Sequence, residues 1–379
     1  MSTGWQLSAA GSRWSVIRDM GSASRLSDRG SRHPKKEATM NSRERVLAAL
    51  RREQPDRVPY CEFAIDRSLA SRLMGWPEPA DAIIDLDARI YTVEERKALA
   101  DFLHMDNITY VIRAPVYAQK VAGQDGRLFY GEGLIKTEAD LEKIKLPDPH
   151  DDALYAEAEE FIKNKGDYAA CFGTRIGVFP AMLSMGIDTF SIALYENPRF
   201  VETVMDIYFD WAAVVAERVC QMGFDVFVTT DDHAFKTGPI LSPALFRRFV
   251  IPRYRRVRKK ITIPWVMHSD GNVMPILEDL LALGIAGLHP IEKGAMDIRQ
   301  VKRDYGRRLC LLGNVDLNIL GLGTPEDVES EVRGLIRDVA PGGGYIISSG
   351  NSLASYLKPE NVIAMSQAIQ KYGHYPIAV

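Results

Sequence analysis

Seven short apolar runs that each end in a polar residue, followed by an eighth that ends in Ser-Ser-Gly-Asn, are the feature that most constrains the fold. The runs span residues 57–63, 108–113, 168–173, 225–233, 264–270, 285–290, 309–316 and 344–351. Most segments between them have helical periodicity, and strands that alternate with helices pair in parallel through right-handed crossovers. The sequence therefore predicts an α/β protein with a closed (β/α)8 TIM barrel.

The polar residues at the ends of these runs predict where the chemistry takes place. In a (β/α)8 barrel the C-terminal ends of all strands face one mouth, so the strand-end residues become neighbours in space. They are Glu62, Arg113, Asp231, Asp232, His233, His268, Asp270, His289, Asn314, Asp316 and Asn351. A mouth this polar is more typical of catalysis than of passive binding, because polar groups are costly to desolvate without a purpose.

Composition excludes several classes of protein. Of the 379 residues, 46% are hydrophobic and 26% are charged, which is typical of a globular protein with a large core. The net charge of −3 gives no reason to expect a nucleic-acid partner. No apolar stretch reaches the roughly 20 residues that span a bilayer, and no signal-peptide core is present. The four cysteines lack paired spacing, so we predict a cytoplasmic protein with no disulfide framework and no membrane contact.

The first 39 residues differ from the rest of the chain. They are rich in Ser, Arg and Gly and have no sustained hydrophobic period, which predicts a disordered N-terminal tail, residues 1–39, or a start upstream of a natural one at Met40. An organellar transit segment is the alternative, but Asp19 and Asp28 count against it. We expect the folded barrel to span residues 40–379.

His268 and Asp270 form the sharpest local motif. In an extended strand, residues two apart point to the same side, so this imidazole and this carboxylate can face one point. The pair suits zinc or another divalent ion, or a histidine that a carboxylate orients as a general acid. The alternative is that His268 only hydrogen-bonds a neighbouring loop.

Two further strand ends carry carboxylates. Asp231, Asp232 and His233 end the fourth run, and two adjacent carboxylates cannot both point inward from an extended chain. One of the two aspartates is therefore expected at the site, and the other is expected to cap a helix or support the site. Glu62 ends the first run, where it either binds a cation or pairs with a loop arginine. Glycines among aromatic residues in 115–135 predict an inserted β-hairpin that forms part of a lid.

Several segments together resemble the uroporphyrinogen decarboxylase superfamily over residues 40–375. They are NSRERVLAALRREQPDRVPYCEF, DVFVTTDDHAFKTGPILSPALFRRFVIPRYRRV, HSDGNVMPILEDLLALGIAGLHPIE, LLGNVD and APGGGYIISSGNSL. True uroporphyrinogen decarboxylases carry an MRQAGR segment after the first strand, where this chain has CEFAIDRSLASR with Arg67 and Arg72. They also place an Asp at the end of the second strand, where this chain has Arg113. Both departures weigh against a tetrapyrrole substrate.

The other branch of the superfamily, the corrinoid-linked methyltransferases, is the closer resemblance. Zinc in that branch is typically bound by a His-x-Cys pair and a later Cys. This chain keeps His268, has Asp270 in place of the first Cys, and has Ser348-Ser349-Gly350-Asn351 where the later Cys is expected. Members that demethylate methyl ethers are expected to use harder ligands. The resemblance therefore implies a set drawn from Glu62, Asp231 or Asp232, His268 and Asp270.

The leading prediction is a corrinoid-dependent methyltransferase that moves a methyl group between a small methylated substrate, such as a methyl ether, and a cobalamin-binding protein. His268, Asp270 and Glu62 are predicted to bind zinc; His268, Asp270, Asp232 and Asp231 are the catalytic candidates. The residues predicted to bind substrate are Glu62, Arg113, Asn314, Asp316 and Asn351. The alternatives are a cofactor-free decarboxylase of a cyclic or aromatic acid held by Arg113 and Arg67, and a barrel that only binds a ligand. Members of the superfamily are often dimers, so a homodimer is expected.

Overall fold

A computed structural model of the protein describes residues 40–77, 91–123 and 128–378. These residues belong to a unit that runs from Thr39 to Val379. The predicted tail, residues 1–39, lies outside the described residues, so its disorder stays a prediction. Among the described residues, no single helix has the length and hydropathy to cross a membrane; one pair of helices, Val178–Met185 and Ile187–Glu196, passes that test jointly, by length and composition only, across a bend of 101°.

Seven parallel strands form the central sheet, and two antiparallel hairpins contribute the other strands. In chain order the strands are β1 Asn107–Val111, β2 Ala118–Ala122, β3 Leu128–Gly133, β4 Ala169–Thr174, β5 Val226–Thr230, β6 Ala234–Phe235, β7 Gly238–Pro239, β8 Trp265–His268, β9 Gly287–His289, β10 Cys310–Leu312 and β11 Tyr345–Ile346. The central sheet runs β1-β4-β5-β8-β9-β10-β11, and β2-β3 and β6-β7 form the hairpins. The sheet therefore follows chain order from one edge to the other, as in a barrel.

The first predicted strand, 57–63, closes this sheet although it pairs with β11 only through an isolated bridge. Tyr60 bridges Ile347 in parallel, and the Ile347 N–H donates to the Pro59 carbonyl at 2.9 Å. On the other edge, the Asp106 N–H donates to the Tyr60 carbonyl at 2.7 Å. Pro59 has no N–H, which interrupts a regular ladder here. The segment still joins β11 to β1, and the fold is the predicted (β/α)8 TIM barrel.

Helices surround the barrel, and the first of them along the chain covers the end at which the strands begin. They are α1 Ser42–Leu50, α2 Arg67–Met74, α3 Val93–Phe102, α4 Ala156–Asn164, α5 Val178–Met185, α6 Ile187–Glu196, α7 Pro198–Gln221, α8 Pro243–Leu245, α9 Ile251–Arg258, α10 Leu277–Ala282, α11 Ile298–Tyr305, α12 Leu317–Leu322, α13 Pro325–Val339 and α14 Pro359–Tyr372. A π-helical segment, Phe246–Val250, joins α8 to α9. The Asn41 side chain accepts from the Glu44 N–H and begins α1 with a capping box.

Alternate residues of each strand pack on opposite faces of the barrel wall. Those that face inward form a small core with one face of α1. The residues of the barrel wall in this core are Cys61, Ala169, Cys171, Val226, Val228, Val266, Cys310, Leu312 and Ile346, and those of α1 are Val46, Ala49 and Leu50. Their neighbours along the strands, such as Phe172 and Phe227, join the larger core under the helices. Because α1 packs where the strands begin, the interior stays open only toward their C-terminal ends.

The predicted hairpin in 115–135 is present as β2 and β3. It is fixed to α5 by a close backbone contact at Gly133, where a Cβ atom would lie only 2.2 Å from the Gly186 nitrogen. Glycine is therefore required at this position. The tip of the hairpin, residues 124–127, lies outside the described residues.

Candidate active site

A cavity of about 380 Å³ lies at the C-terminal ends of the strands, where the sequence predicts the site. Its lining continues the inward-facing positions of β1, β4, β5, β8 and β9, and the hairpin strand β3 adds aromatic side chains. The lining residues are Phe63, Ala64, Asp66, Thr109, Val111, Arg113, Lys120, Leu128, Phe129, Tyr130, Gly173, Arg175, Phe179, Val228, Thr230, Asp232, His268, Asp270, His289, Asn351, Ser352 and Ala354. A concave, mixed apolar and polar site of this kind is typical of a small-molecule cavity.

Asp232, His268 and Asp270 converge on this cavity. His268 Nε2 lies 3.7 Å from Asp232 Oδ1 and 3.8 Å from Asp270 Oδ1. One potential ligand atom from each residue lies within 4.8 Å of the others, so the three can surround one ion. The backbone fixes the arrangement, because the Asp270 N–H donates to Asp232 Oδ1 at 3.1 Å. Two carboxylates and one imidazole form a donor set that suits a divalent ion.

The two oxygens of Asp270 have different surroundings. Asn351 Nδ2 donates to Oδ2 at 2.6 Å, whereas Oδ1 is buried and has no hydrogen-bond partner among the described residues. Burial raises the pKa of Asp270 to about 6; His268 opposes this rise, and the negative charges of Asp232 and Glu292 add to it. A buried carboxylate oxygen without a donor is costly unless something else binds it. Asp270 Oδ1 is therefore poised to accept a cation or a proton from a ligand.

His289 fixes the orientation of His268. The two Nδ1 atoms lie 2.7 Å apart, so one donates its hydrogen to the other. Burial and the adjacent His268 hold the pKa of His289 well below its usual value, so this ring is neutral. When His268 Nδ1 carries the hydrogen and donates to His289, His268 Nε2 presents a lone pair to the two carboxylate residues. This is the tautomer that a metal ligand requires.

The structure separates Asp231 from Asp232. Asp231 is fully buried, and its carboxylate accepts the backbone N–H groups of Ile176, Gly177 and Phe179 at 2.7, 3.2 and 3.0 Å. It anchors the turn after β4 and does not line the cavity, because it occupies the strand position that faces outward. Its inclusion among the catalytic candidates does not match this placement. The prediction that only one of the two adjacent aspartates points into the site does agree with this placement.

His233 also faces outward from β5. Its Nε2 atom lies 2.7 Å from the Tyr254 hydroxyl, and the ring packs edge-on against Phe246. Burial lowers the pKa of His233 to about 3, so the ring stays neutral. This arrangement joins the end of β5 to the helices behind it and is structural.

Glu62 does not join the cluster with His268 and Asp270, in contrast to the predicted ligand set. Its Oε1 accepts the Ser349 N–H and its Oε2 accepts the Ser349 hydroxyl, each at 2.7 Å. Burial raises the pKa of Glu62 to about 8. The inward-facing neighbours are Cys61 in the core and Phe63 at the cavity, so Glu62 occupies the opposite face of the wall. It holds the barrel seam between the first segment and the end of β11.

The other predicted substrate-binding residues divide in the same way. Arg113 and Asn351 line the cavity, and Arg113 donates to the Thr230 hydroxyl at 3.3 Å. Asn314 is buried and donates to the Ile291 carbonyl at 2.5 Å, so it braces the loop after β9. Asp316 caps α12 by accepting the N–H of Asn318. Neither Asn314 nor Asp316 lines the cavity, and these two predictions do not match the structure.

Arg175 is one of the cavity residues that sequence reasoning missed, and it is the most buried basic residue among them. It directly follows β4, is only 8% exposed, and lies over the rings of Tyr130 and Phe179. The signal was present in the sequence, since Arg175 is an inward-facing strand-end position two residues after Gly173. Arg67, which the decarboxylase alternative used, instead pairs with Glu95 and stacks on Trp76.

None of the four cysteines lines the cavity. Cys61, Cys171 and Cys310 are buried in the core at the other end of the barrel interior, and Cys220 is partly buried on α7. Burial raises the pKa of Cys171 and of Cys310 to about 12. Thiolate ligands are therefore absent from this cavity, as the sequence indicates.

A (β/α)8 barrel with a polar cavity at the C-terminal ends of its strands has the architecture of an enzyme. The model of the family "Uroporphyrinogen decarboxylase (URO-D)" matches residues 116–372, and the chain belongs to this family. The resemblance of the sequence motifs to the uroporphyrinogen decarboxylase superfamily is thereby confirmed.

Relatives within the family carry two kinds of name. The chain is 22% identical over 365 residues to a uroporphyrinogen decarboxylase of Alkalilimnicola ehrlichii, a match that covers 86% of this chain and 93% of that protein. It is 27% identical over 202 residues to the methylcobamide:CoM methyltransferase MtaA of Methanosarcina barkeri, covering 52% of this chain and 58% of that protein. Family membership therefore leaves both reactions open.

A solved methyltransferase from Methanosarcina mazei has the same fold. It superposes with a TM-score of 0.70 and 22% sequence identity, and the match covers 88% of this chain and 99% of that one. The similarity extends over nearly the whole barrel, in agreement with its closure by the first segment.

Proposed function

We propose that the protein is a metal-dependent, corrinoid-linked methyltransferase that moves a methyl group between a small methylated molecule, such as a methyl ether, and a cobalamin-binding protein. The observation that carries this proposal is the cluster of Asp232, His268 and Asp270 at the cavity, with the buried Asp270 Oδ1 left without a donor. A decarboxylase that uses no cofactor has no need for three convergent ligand atoms.

The residues of the cluster suit a zinc ion bound through oxygen and nitrogen atoms, since no cysteine lines the cavity. Asp232, His268 and Asp270 would hold the ion, which leaves a further position for a substrate oxygen. When bound, zinc supplies a Lewis acid that stabilises the negative charge developing on that oxygen. Because the ligands are two carboxylates and an imidazole, activation of an ether oxygen is favoured over activation of a thiol.

The chain's own groups orient the ligands and exclude water. Asn351 Nδ2 holds Asp270 Oδ2, so Oδ1 stays directed to the cluster. When His289 accepts the Nδ1 hydrogen of His268, the Nε2 atom of His268 stays available to a ligand. Phe63 lines the cavity and packs edge-on against His289, so it gives the substrate's methyl-bearing end an apolar contact. Removing water strengthens electrostatic interactions with the reacting oxygen.

In the demethylating direction the bond between the methyl carbon and the ether oxygen breaks. Its electron pair stays on the oxygen, which leaves as an alkoxide or phenolate and takes a proton. A corrinoid on the partner protein would supply the nucleophile that accepts the methyl group. The printed name of the MtaA relative includes a methylcobamide, which supports a corrinoid partner. A cytoplasmic location, a homodimer and the absence of a nucleic-acid partner stay predictions.

Metal content and methyl transfer test this proposal together. Purified full-length protein is expected to contain about one zinc per chain by elemental analysis. It is also expected to demethylate at least one methyl ether of a set that contains methoxybenzene and a methoxybenzoate, in the presence of free cob(I)alamin. His268→Ala should lose both properties, whereas His150→Ala, at an exposed turn residue, should keep both. If the wild-type protein neither binds zinc nor transfers a methyl group, the proposal is refuted.

A cofactor-free decarboxylase is the second candidate, because Arg113 and Arg175 both line the cavity and can hold a carboxylate. The name of the Alkalilimnicola relative also favours this reaction. Release of CO2 from an aromatic acid by protein that has been stripped of metal would favour this candidate. His268→Ala would then affect activity without any change in metal content.

A further inference from the structure

Two arginine side chains line the cavity together with the cluster of Asp232, His268 and Asp270. Arg113 follows β1, and Arg175 follows β4, the strand that lies between β1 and β5. Both line the cavity, and Arg175 is only 8% exposed. A buried guanidinium carries five N–H donors in a rigid, planar fork, a shape that matches a carboxylate better than any neutral group.

Aromatic rings hold the Arg175 fork in place. The centre of its guanidinium lies 5.6 Å from the centroid of the Tyr130 ring and 5.3 Å from that of Phe179. Arg175 Nη1 also donates to the Tyr130 hydroxyl at 3.4 Å. A cation that is held between rings loses little conformational freedom when it binds an anion, so this end of the cavity is pre-organised.

Arg113 is linked through Thr230 to the strand that carries His268. Arg113 Nη2 donates to the Thr230 hydroxyl at 3.3 Å, and Thr230 pairs in register with His268 on β8. Because β4 pairs with β5 and β5 pairs with β8, at about 4.8 Å between neighbouring strands, one small molecule can contact both the arginine end and the cluster. The cavity volume of about 380 Å³ lies near the lower end of the usual range for small-molecule sites, roughly 300–1,000 Å³.

We propose that the substrate is a small, single-ring carboxylic acid whose carboxylate is bound by Arg113 and Arg175 while its opposite end faces Asp232, His268 and Asp270. Tyr130 and Phe179 contact the ring, and the methyl-bearing oxygen is the group presented to the cluster. This inference rests on the proposed function for its reacting end. The carboxylate subsite itself depends only on the two arginines and the aromatic residues.

Binding of benzoate and of its neutral isostere benzamide to the full-length protein, measured by calorimetry, tests the subsite without any reaction. Benzoate should bind at least about tenfold more tightly than benzamide, because a carboxylate accepts charge-assisted hydrogen bonds. Arg175→Gln and Arg113→Gln should each weaken benzoate binding about tenfold to a hundredfold and leave benzamide binding unchanged. Arg255→Gln, at an exposed position on α9, is the matched control and should bind both as the wild type does.

Arg175→Lys keeps the charge without the planar fork, so it covers the case in which Arg175→Gln does not fold, and it should show an intermediate loss. Equal affinity for benzoate and benzamide, no binding of benzoate, or unchanged benzoate binding in the arginine variants would overturn the proposal. Zinc titration of the same proteins separates the two inferences. Preference for benzoate in a protein that binds no zinc would refute the proposed function and retain the carboxylate subsite.

Discussion

The barrel seam and the cavity lie at the same end of the barrel, and each contains a carboxylate with buried oxygen atoms. The two carboxylates differ in the hydrogen bonds that these oxygens accept. At the seam, both oxygens of Glu62 accept hydrogen bonds from Ser349. At the cavity, the Asp270 side chain is partly exposed, but its Oδ1 atom is buried and has no donor among the described residues. Because both carboxylates follow strands, a strand-end position alone does not mark a functional group. The difference in hydrogen-bond saturation is the more informative sign, since an unsatisfied buried oxygen needs a ligand, an ion or a water molecule to compensate for its desolvation.

The same contrast separates two consecutive residues. Asp231 accepts three backbone N–H groups, whereas Asp232 accepts one and faces the cavity. Saturated carboxylates hold the protein together, and open ones are available for chemistry. The following variants test this division, in order of decreasing effect.

Replacement of Asp231 is expected to have the largest effect on stability. Asp231→Ala leaves three backbone N–H groups unsatisfied in the core and should lower the free energy of unfolding by roughly 4 kcal/mol. Chemical denaturation followed by circular dichroism measures this loss. Asp232→Ala is the matched control and should change stability little while abolishing zinc binding. The reverse outcome, a stable Asp231→Ala protein and an unfolded Asp232→Ala protein, would break the comparison.

His289 is expected to act on the metal site through His268. His289→Leu removes the acceptor for His268 Nδ1 and should raise the zinc Kd about tenfold to a hundredfold. His289→Gln keeps a carbonyl acceptor and should recover part of the loss. Competition titration with a chromogenic chelator provides the measurement. Equal weakening by Leu and Gln would indicate that the ring only fills space.

Glu62 is expected to make stability depend on pH. Its pKa of about 8 in the folded protein is higher than the ordinary value of 4.5, so the folded state binds a proton that the unfolded state releases. The free energy of unfolding should therefore fall as pH rises from about 5 to 8, by at most about 1.4 kcal/mol per pH unit. Glu62→Gln retains both contacts to Ser349 and should remove this slope in thermal unfolding at several pH values. An unchanged slope would assign the dependence to another group.

Ser349 is expected to give the smallest effect. Ser349→Ala removes the hydroxyl that donates to Glu62 Oε2 and keeps the backbone N–H, so the loss in unfolding free energy should be about 1 kcal/mol. Because the hydroxyl favours the charged form, its removal should raise the pKa of Glu62 further. The zinc Kd should not change, since the seam is separate from the cluster. A change in the zinc Kd would show that the seam and the cluster are coupled and do not act as separate regions.

Much of this site follows from the strand-end rule. Asp232, His268, Asp270, Arg113 and Asn351 were named from the sequence and do line one cavity. The same rule also named Glu62, Asp231, Asn314 and Asp316, which bind backbone groups or other side chains away from the cavity. It missed Arg175, which is as close to its strand end as any of them. A rule that counts only strand ends cannot separate these groups, because each strand end presents residues to both faces of the wall.

The sequence by itself determined the barrel, because eight alternating units leave few other ways to pair parallel strands, and it determined that His268 and Asp270 share a face. Only the tertiary structure decided which face that is. Strands of a closed parallel barrel are buried on both sides, so hydrophobicity does not distinguish inside from outside, as Cys171 and Phe172 illustrate. The packing of α1 and of the outer helices fixes the direction of each strand's alternation. That direction places Asp232 in the cavity and Asp231 behind it.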